Sequence, residues 1–279
     1  MLSAALLCTA FIFDILYGYG FAYAHRAAPE SAVKVTVLSY YTSPPFLTAE
    51  GRGLTHDFVA LLNKAAGGRF HFELSCLPKR RAEMALERAD TALLLFVNPA
   101  WIDVAGRYSW SDGFLPDRNG LLSSAKQRVS YDGVEDLRGL TMGGVYSSRY
   151  GELDTAVALK ELRREDAATV RQNLLKLVMG RIDFTVAPES VLRSLVCELG
   201  LEGQVYFSPL PFSEYTRHIM IKGDSKELQG FVTHFVRDLL HNSEWQKIAE
   251  QYYLIRDGAM NLASNSEWAS QGCLLMEKQ

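Results

Sequence analysis

Cysteine is scarce in this sequence: four residues in 279, at positions 8, 76, 197 and 273. With no Cys-x-x-Cys pair and no His-x-x-x-His spacing among the six histidines, no metal site is expected. Charge of one sign is also missing, since 29 Lys and Arg stand against 32 Asp and Glu. A net charge of -3 offers no general basic surface for nucleic acid. The only basic clusters are Lys79-Arg80-Arg81 and Arg163-Arg164, the second read as a solvated helix face. With 9 Pro, 21 Gly and no low-complexity run, collagen and a wholly disordered chain are excluded. There is no Gly-x-Ser-x-Gly, no Walker loop and no Gly-x-Gly-x-x-Gly after a strand. Nothing assembles a nucleophile with its base, so neither an enzyme nor a cofactor is expected. Gly143-Gly144 suits close backbone packing rather than a phosphate cradle.

A long apolar run occurs only at the start. Leu2 to Ala24 contains no Lys or Arg and ends in Ala22-Tyr23-Ala24, a small-x-small sequence of the kind signal peptidase cleaves. It reads as a secretory signal over residues 1–24, with the mature chain starting at His25. An uncleaved anchor is the alternative. Asp14 weighs against it, because a charge at mid-membrane costs roughly 2.5 to 3.5 kcal/mol on insertion scales. Cys76 and Cys197 are expected to be small buried hydrophobes.

The remaining chain alternates strand with helix. Val33 to Leu38 is β-branched and alternating, and a turn-rich Pro44-Pro45 stretch leads to a helix with Phe58, Leu61, Leu62 and Ala65 on one face. Gly67-Gly68 stops it. A strand at Arg69 to Ser75, a helix at Arg80 to Ala89 and a strand at Thr91 to Val97 follow. The pattern returns with a strand at Leu140 to Tyr146, helices at Arg149 to Arg164 and Val170 to Met179, a strand at Ile182 to Ala187 and a helix at Ser190 to Leu199. The last elements are a short strand at His218 to Ile221 and helices at Lys226 to His241 and Ser243 to Leu254. Such alternation predicts parallel strands with right-handed crossovers in two similar α/β lobes. The two helices to spare at the end are assigned back to the first lobe, so the chain crosses twice, near Gly113 to Asn119 and Leu210 to Tyr215.

In open parallel sheets a ligand sits beyond the carboxyl ends of the strands. The loops there carry Tyr40, Tyr41 and Phe46; Pro78 to Arg81; Asn98, Trp101 and Asp103; Ser147 to Arg149; and Pro188 with Glu189.

At these loops the sequence resembles the extracellular solute-binding proteins of family 3. The resemblance rests on Tyr-Tyr-Thr-Ser-Pro-Pro-Phe at 40 to 46, Gly53-Leu54-Thr55-His56-Asp57-Phe58, Pro78-Lys79-Arg80-Arg81-Ala82 and Trp110-Ser111-Asp112. Glu135-Asp136-Leu137-Arg138-Gly139, Gly180-Arg181-Ile182-Asp183-Phe184 and the closing stretch from Trp245 to Tyr253 complete it. It implies a two-lobed α/β type II periplasmic binding fold, with mixed sheets flanked by helices and a double crossover hinge. The expected division is lobe I at 31–116, lobe II at 117–213, a return to lobe I at 214–257 and a polar tail at 258–279. It implies a monomer in the periplasm that captures a small polar, amino-acid-like solute by cleft closure and delivers it to an ABC importer. A sensor for a membrane signalling partner and a cyclohexadienyl dehydratase-like enzyme are the alternatives.

The sequence departs from that family at both ligand anchors. Where amino-acid binders carry an Arg after the third strand to clamp the α-carboxylate, this chain has Asn98-Pro99-Ala100-Trp101-Ile102-Asp103. Where they carry an acid for the α-ammonium, it has Pro188, with Glu189 next. The candidate ligand contacts are Tyr41, Phe46, Arg81, Asn98, Trp101, Ser148, Arg149 and Glu189. Tyr41 and Phe46 form an aromatic wall or cover the core edge. Trp101 offers a stacking or cation–π face, or packs between lobes. Arg81 begins a helix, against its dipole preference, which calls for a partner: a ligand carboxylate, or Asp57 or Asp103. Ser147, Ser148 and Arg149 are read as a helix start that favours an anion, or as a cap. Glu189 receives a ligand cation or caps the helix after it.

Overall fold

The computed structural model describes residues 32–48, 51–239, 241–252, 255–256 and 259–260. The expected signal at 1–24 lies outside them, as does all of the polar tail except Ala259–Met260. The elements follow the chain as β1 (Val33–Ser39), α1 (Leu54–Ala66), β2 (Phe70–Cys76), α2 (Lys79–Arg88), β3 (Ala92–Val97), β4 (Ser109–Trp110) and β5 (Leu115–Ser124). Then come β6 (Thr141–Val145), α3 (Glu152–Ala158), β7 (Arg163–Ala167), α4 (Val170–Val178), β8 (Phe184–Pro188), α5 (Glu189–Glu198) and β9 (Val205–Phe207). The last are β10 (Ser213–Lys222), α6 (Lys226–Leu239), α7 (Ser243–Gln251), β11 (Ile255–Arg256) and β12 (Ala259–Met260). None of the described helices is long and apolar enough to cross a membrane.

The strands order as β2-β1-β3-β10-β5-β8-β6-β7, with β4 beside β10 and β9 beside β5. Two parallel sets, β2-β1-β3 and β8-β6-β7, are joined by two long antiparallel strands. β10 makes the join: Ser213 to Arg217 pair with β5, and His218 to Lys222 pair with β3. The sheet is therefore mixed, as the resemblance implies, and not parallel throughout, as strand–helix alternation alone suggested.

Around α1 the apolar spacing does what it predicts, burying Phe58, Leu61 and Leu62, with Ala66 rather than Ala65 completing the face. Phe58 is the hub of an aromatic core, 5.2 Å from Phe96 and from Phe114, 5.6 Å from Phe235 and 5.5 Å from Trp245. Through these rings α6 and α7 pack back on α1. A Tyr252 hydroxyl donating to Asp57 at 2.8 Å adds a polar tie.

One helix expected from the sequence is a helix and a strand. The stretch read as helical from Arg149 to Arg164 holds only α3, ending at Ala158, before β7 pairs in parallel with β6 over Arg163 to Ala167. The charges of β7 misled the reading; they are used within the sheet, as described below. Cys197 corrects another expectation, because it is disulfide-bonded. Cys76 is a free, partly buried thiol, and burial pushes its pKa up.

Candidate functional site

The join between the two halves of the sheet carries a buried charge. On β10 the alternate residues Tyr215, Arg217, Ile219 and Ile221 share one face, and Arg217 lies fully buried there. Its Nε and Nη2 donate to Asp117 Oδ2 at 3.0 and 2.6 Å, and its Nη1 donates to the Phe96 carbonyl at 2.9 Å. The guanidinium also lies 4.6 Å from the Tyr41 ring, 4.8 Å from Phe46 and 5.2 Å from Tyr215. A charge with no access to water is tolerated because an acid, a carbonyl and three ring faces surround it.

The backbone is bent to allow this. Between the pairs His218 with Val97 and Met220 with Leu94, β3 holds one residue more than β10. Phe96, in that bulge, takes φ of 62°, a conformation non-glycine residues rarely adopt. Its carbonyl bonds to Arg217 there, and strain of this kind persists only where the surroundings over-determine it.

The loop after β1 closes over the same point. Tyr41 lies 4.9 Å from Tyr40 and 4.5 Å from Phe46, whose ring is fully buried and 5.1 Å from Phe96. The carbonyls of Pro45 and Phe46 accept from the first amides of α1, Leu54 at 2.9 Å and Thr55 at 3.2 Å. Gly53 is required between them: its φ is 130°, and a Cβ there would meet the Phe46 oxygen at 2.7 Å. Burial pushes the Tyr40 and Tyr215 phenols well above their ordinary pKa, so both stay protonated.

The loop after β3 is tied to β10. Asn98 accepts from the Ala100 amide and donates to the Thr216 carbonyl, both at 2.8 Å. Trp101 stays 38% exposed, its ring edge-on to Tyr215 at 4.8 Å. Past it, Asp103 meets Arg149 from the loop after β6, at 3.4 Å, with side chains 80% and 81% exposed. Loops of the two halves thus face each other, while their charged ends remain in water.

Ser147 to Arg149 do not begin a helix, because α3 starts only at Glu152. The chain makes a turn instead, with Ser147 at φ of 63° and the Ser148 amide donating to the Val145 carbonyl. A strut beneath replaces the expected helix end. Arg164 of β7 donates to Asp166 at 2.7 Å and Asp154 at 2.8 Å, and reaches the carbonyls of Val145 and Ser148 at 3.3 and 3.2 Å. The expected close packing at Gly144 is what admits this strut, since a Cβ there would lie 2.7 Å from the Arg164 Nε and still closer to Asp166. Gly144→Ala is therefore expected to lower stability by about 1–3 kcal/mol, the usual cost of overpacking. Denaturant unfolding would show this as a lower midpoint at unchanged slope.

Glu189, the first residue of α5, is not open to a ligand cation in this structure. It is 7% exposed and clasped by Arg118 through Nε and Nη2, the latter at 2.9 Å. Arg193 binds the same carboxylate, its Nε at 2.6 Å. Burial raises the pKa of Glu189, but the hydrogen bonds and charges of Arg118 and Arg193 outweigh it and hold the carboxyl below its ordinary value. Arg193 in turn stacks 4.5 Å over Phe207.

The structure therefore gathers Tyr41, Phe46, Asn98 and Trp101 around Arg217, sets Ser148 and Arg149 on the facing loop, and places Glu189 beside both β5 and β8. It leaves Arg81 exposed on α2. The acids proposed as its partner are engaged elsewhere, Asp57 with Tyr252 and Asp103 with Arg149. Arg217, Asp117 and Arg118 were missed by sequence reasoning. The signal was present for Arg217: it shares an alternating face with Ile219 and Ile221, and a cation on an apolar face asks for a buried partner.

No protein-family model matches this chain, and no curated protein matches it. Solved structures do. An ancestral arginine-binding protein bound to arginine aligns over 80% of this chain and 100% of its own, at 16% identity and a TM-score of 0.64. An amino acid ABC transporter substrate-binding protein from Streptococcus pneumoniae, bound to L-arginine, covers 78% of this chain and 94% of its own, at 18% identity and a TM-score of 0.62. An ancestral amino-acid-binding protein, a precursor of cyclohexadienyl dehydratase, covers 78% and 95%, at 16% identity and a TM-score of 0.61. This chain thus has the mixed-sheet, two-lobed α/β fold of the amino-acid solute-binding proteins.

Proposed function

We propose that this chain is an extracytoplasmic solute-binding protein, exported to the periplasm by residues 1–24. It captures a small polar solute as a monomer and presents it to an ABC importer. Lobe I, at 31–116 and 214–257, closes on lobe II, at 117–213, about the join at β5 and β10. The observation that carries this reading is the facing of the two loop sets, with Asp103 and Arg149 meeting at 3.4 Å while about four-fifths exposed. Closure on a ligand would bury such groups, and only a ligand that contacts both lobes differently in the open and closed forms shifts that balance. Tyr41, Asn98, Trp101, Ser148 and Arg149 are the contacts assigned to it. Phe46 supports Tyr41 from the core, and Glu189 acts through Arg118.

Similarity to a dehydratase precursor raises an enzymatic reading, which needs a protonated acid in the cleft. Glu189 has the opposite disposition, since two guanidinium groups favour its ionised form. Isothermal titration against amino acids, polyamines and small carboxylic acids tests capture. Binding of at least one compound, with a raised melting temperature, is expected. A protein that responds to no member of the panel would end the transport reading.

A further inference from the structure

Arg217 is held as a ligand would be held, and what holds it bears on the solute, given the capture role just proposed. All three guanidinium nitrogens are engaged. Nε and Nη2 donate to Asp117 Oδ2, Nη2 also donates to the Tyr215 hydroxyl at 3.2 Å, and Nη1 donates to the Phe96 carbonyl at 2.9 Å. Rings cover the group from two stretches of the chain, Tyr41 and Phe46 after β1 and Tyr215 on β10, all within 5.2 Å. A buried ion pair needs only the acid. Acceptors around the edge of the plane, with rings against its face, are the features by which a guanidinium is told from a compact ammonium.

The same rings belong to the loops that face the other lobe. Tyr41 and Tyr215 are only partly buried, and Trp101, 38% exposed, stands edge-on to Tyr215 at 4.8 Å. Tyr41 already has Tyr40 at 4.9 Å and Phe46 at 4.5 Å besides the guanidinium at 4.6 Å. Asp117 is spent too: Oδ2 also accepts from the Ser190 hydroxyl and Oδ1 from the Arg118 amide, both at 2.8 Å. An incoming guanidinium finds these ring faces and this acid taken.

We propose that Asp117, the Phe96 carbonyl and the rings of Tyr41, Phe46 and Tyr215 form a guanidinium site filled by the chain's own Arg217. Arg217 is then a specificity-determining residue, which closes the first-lobe wall to solutes bearing a guanidinium. Being tethered, it pays none of the translational and rotational cost that a free competitor pays, so a solute does not displace it.

Chemical complementation reads the site without any solute. R217A removes the head group and keeps Asp117. Methylguanidinium is expected to raise the melting temperature of R217A and to leave that of the native protein unchanged. In isothermal titration it should bind R217A about ten-fold or more tightly than methylammonium does, the gain from at least one further charge-assisted hydrogen bond. The native protein should bind L-arginine no more tightly than L-citrulline, whose urea group has a similar shape without the charge. Methylguanidinium that stabilises R217A no better than methylammonium, or a native protein that prefers L-arginine to L-citrulline, overturns the assignment and leaves solute capture standing. If R217A does not fold even with methylguanidinium, the comparison of L-arginine with L-citrulline carries the test. A native protein that answers to no compound of the wider panel ends the capture reading, while rescue of R217A reads the site independently of it.

Discussion

Asp117→Ala should lower the unfolding free energy by about 3–5 kcal/mol, the cost of stranding a buried charge. Arg217 has no route to water and leans on one carboxylate oxygen through two nitrogens, at 3.0 and 2.6 Å. Its remaining bonds, to the Phe96 carbonyl at 2.9 Å and the Tyr215 hydroxyl at 3.2 Å, are to neutral groups. Removing Asp117 also leaves the Ser190 hydroxyl and the Arg118 amide without their acceptor. The effect should shrink in the double variant Asp117→Leu with Arg217→Met, because replacing a buried ion pair with apolar groups of similar volume is often neutral. Guanidinium unfolding followed by tryptophan fluorescence measures both. If the single variant loses under about 1 kcal/mol, water reaches Arg217 and the join is looser than described.

Glu189→Gln should cost about 3 kcal/mol at neutral pH, and that cost should vanish in acid. The substitution keeps the size of the side chain but removes the charge that Arg118 and Arg193 share. Because the folded pKa of Glu189 lies below its ordinary value, the carboxylate's contribution is fully present above the unfolded pKa of about 4.3. It is lost as pH falls through the folded pKa, where the native side chain takes up a proton and becomes as neutral as glutamine. The stability difference between native protein and variant should therefore be flat from pH 7 to about 5 and narrow below about 4. A difference that does not change with pH would show that the cost comes from the new amide donors facing Arg118 and Arg193 and not from loss of the charge.

How far the sequence could be read followed the range of the interactions involved. β1, β2, β3 and α1 are local objects, set by alternation in Val33–Ser39 and Phe70–Cys76, by the continuous apolar run of Ala92–Val97 and by the apolar face around Phe58. Their order predicted the loops that the two halves turn toward each other. β7 was misread because Arg163-Arg164-Glu165-Asp166 has the composition of a helix surface. Only its neighbours, a glycine pair on β6 and Asp154 on α3, show why a charged strand fits at that edge. The turn at Ser147 to Arg149 was misread for the same reason, since the carbonyls that shape it are held by Arg164, far along the chain.

By itself, then, the sequence determined the alternation of strand and helix and the loops at the carboxyl ends of the strands. Which charges remain for a ligand was decided by the tertiary structure alone. Arg118 and Glu189 are 71 positions apart, and Asp117 and Arg217 are 100 apart. Ion pairing depends on separation in space and on exclusion of water, and neither is written in the local pattern of residues. Until β5 pairs with β8, Glu189 reads as an acid awaiting a ligand; once it does, Arg118 of β5 holds Glu189, and the pairing of β5 with β10 gives Arg217 its partner in Asp117.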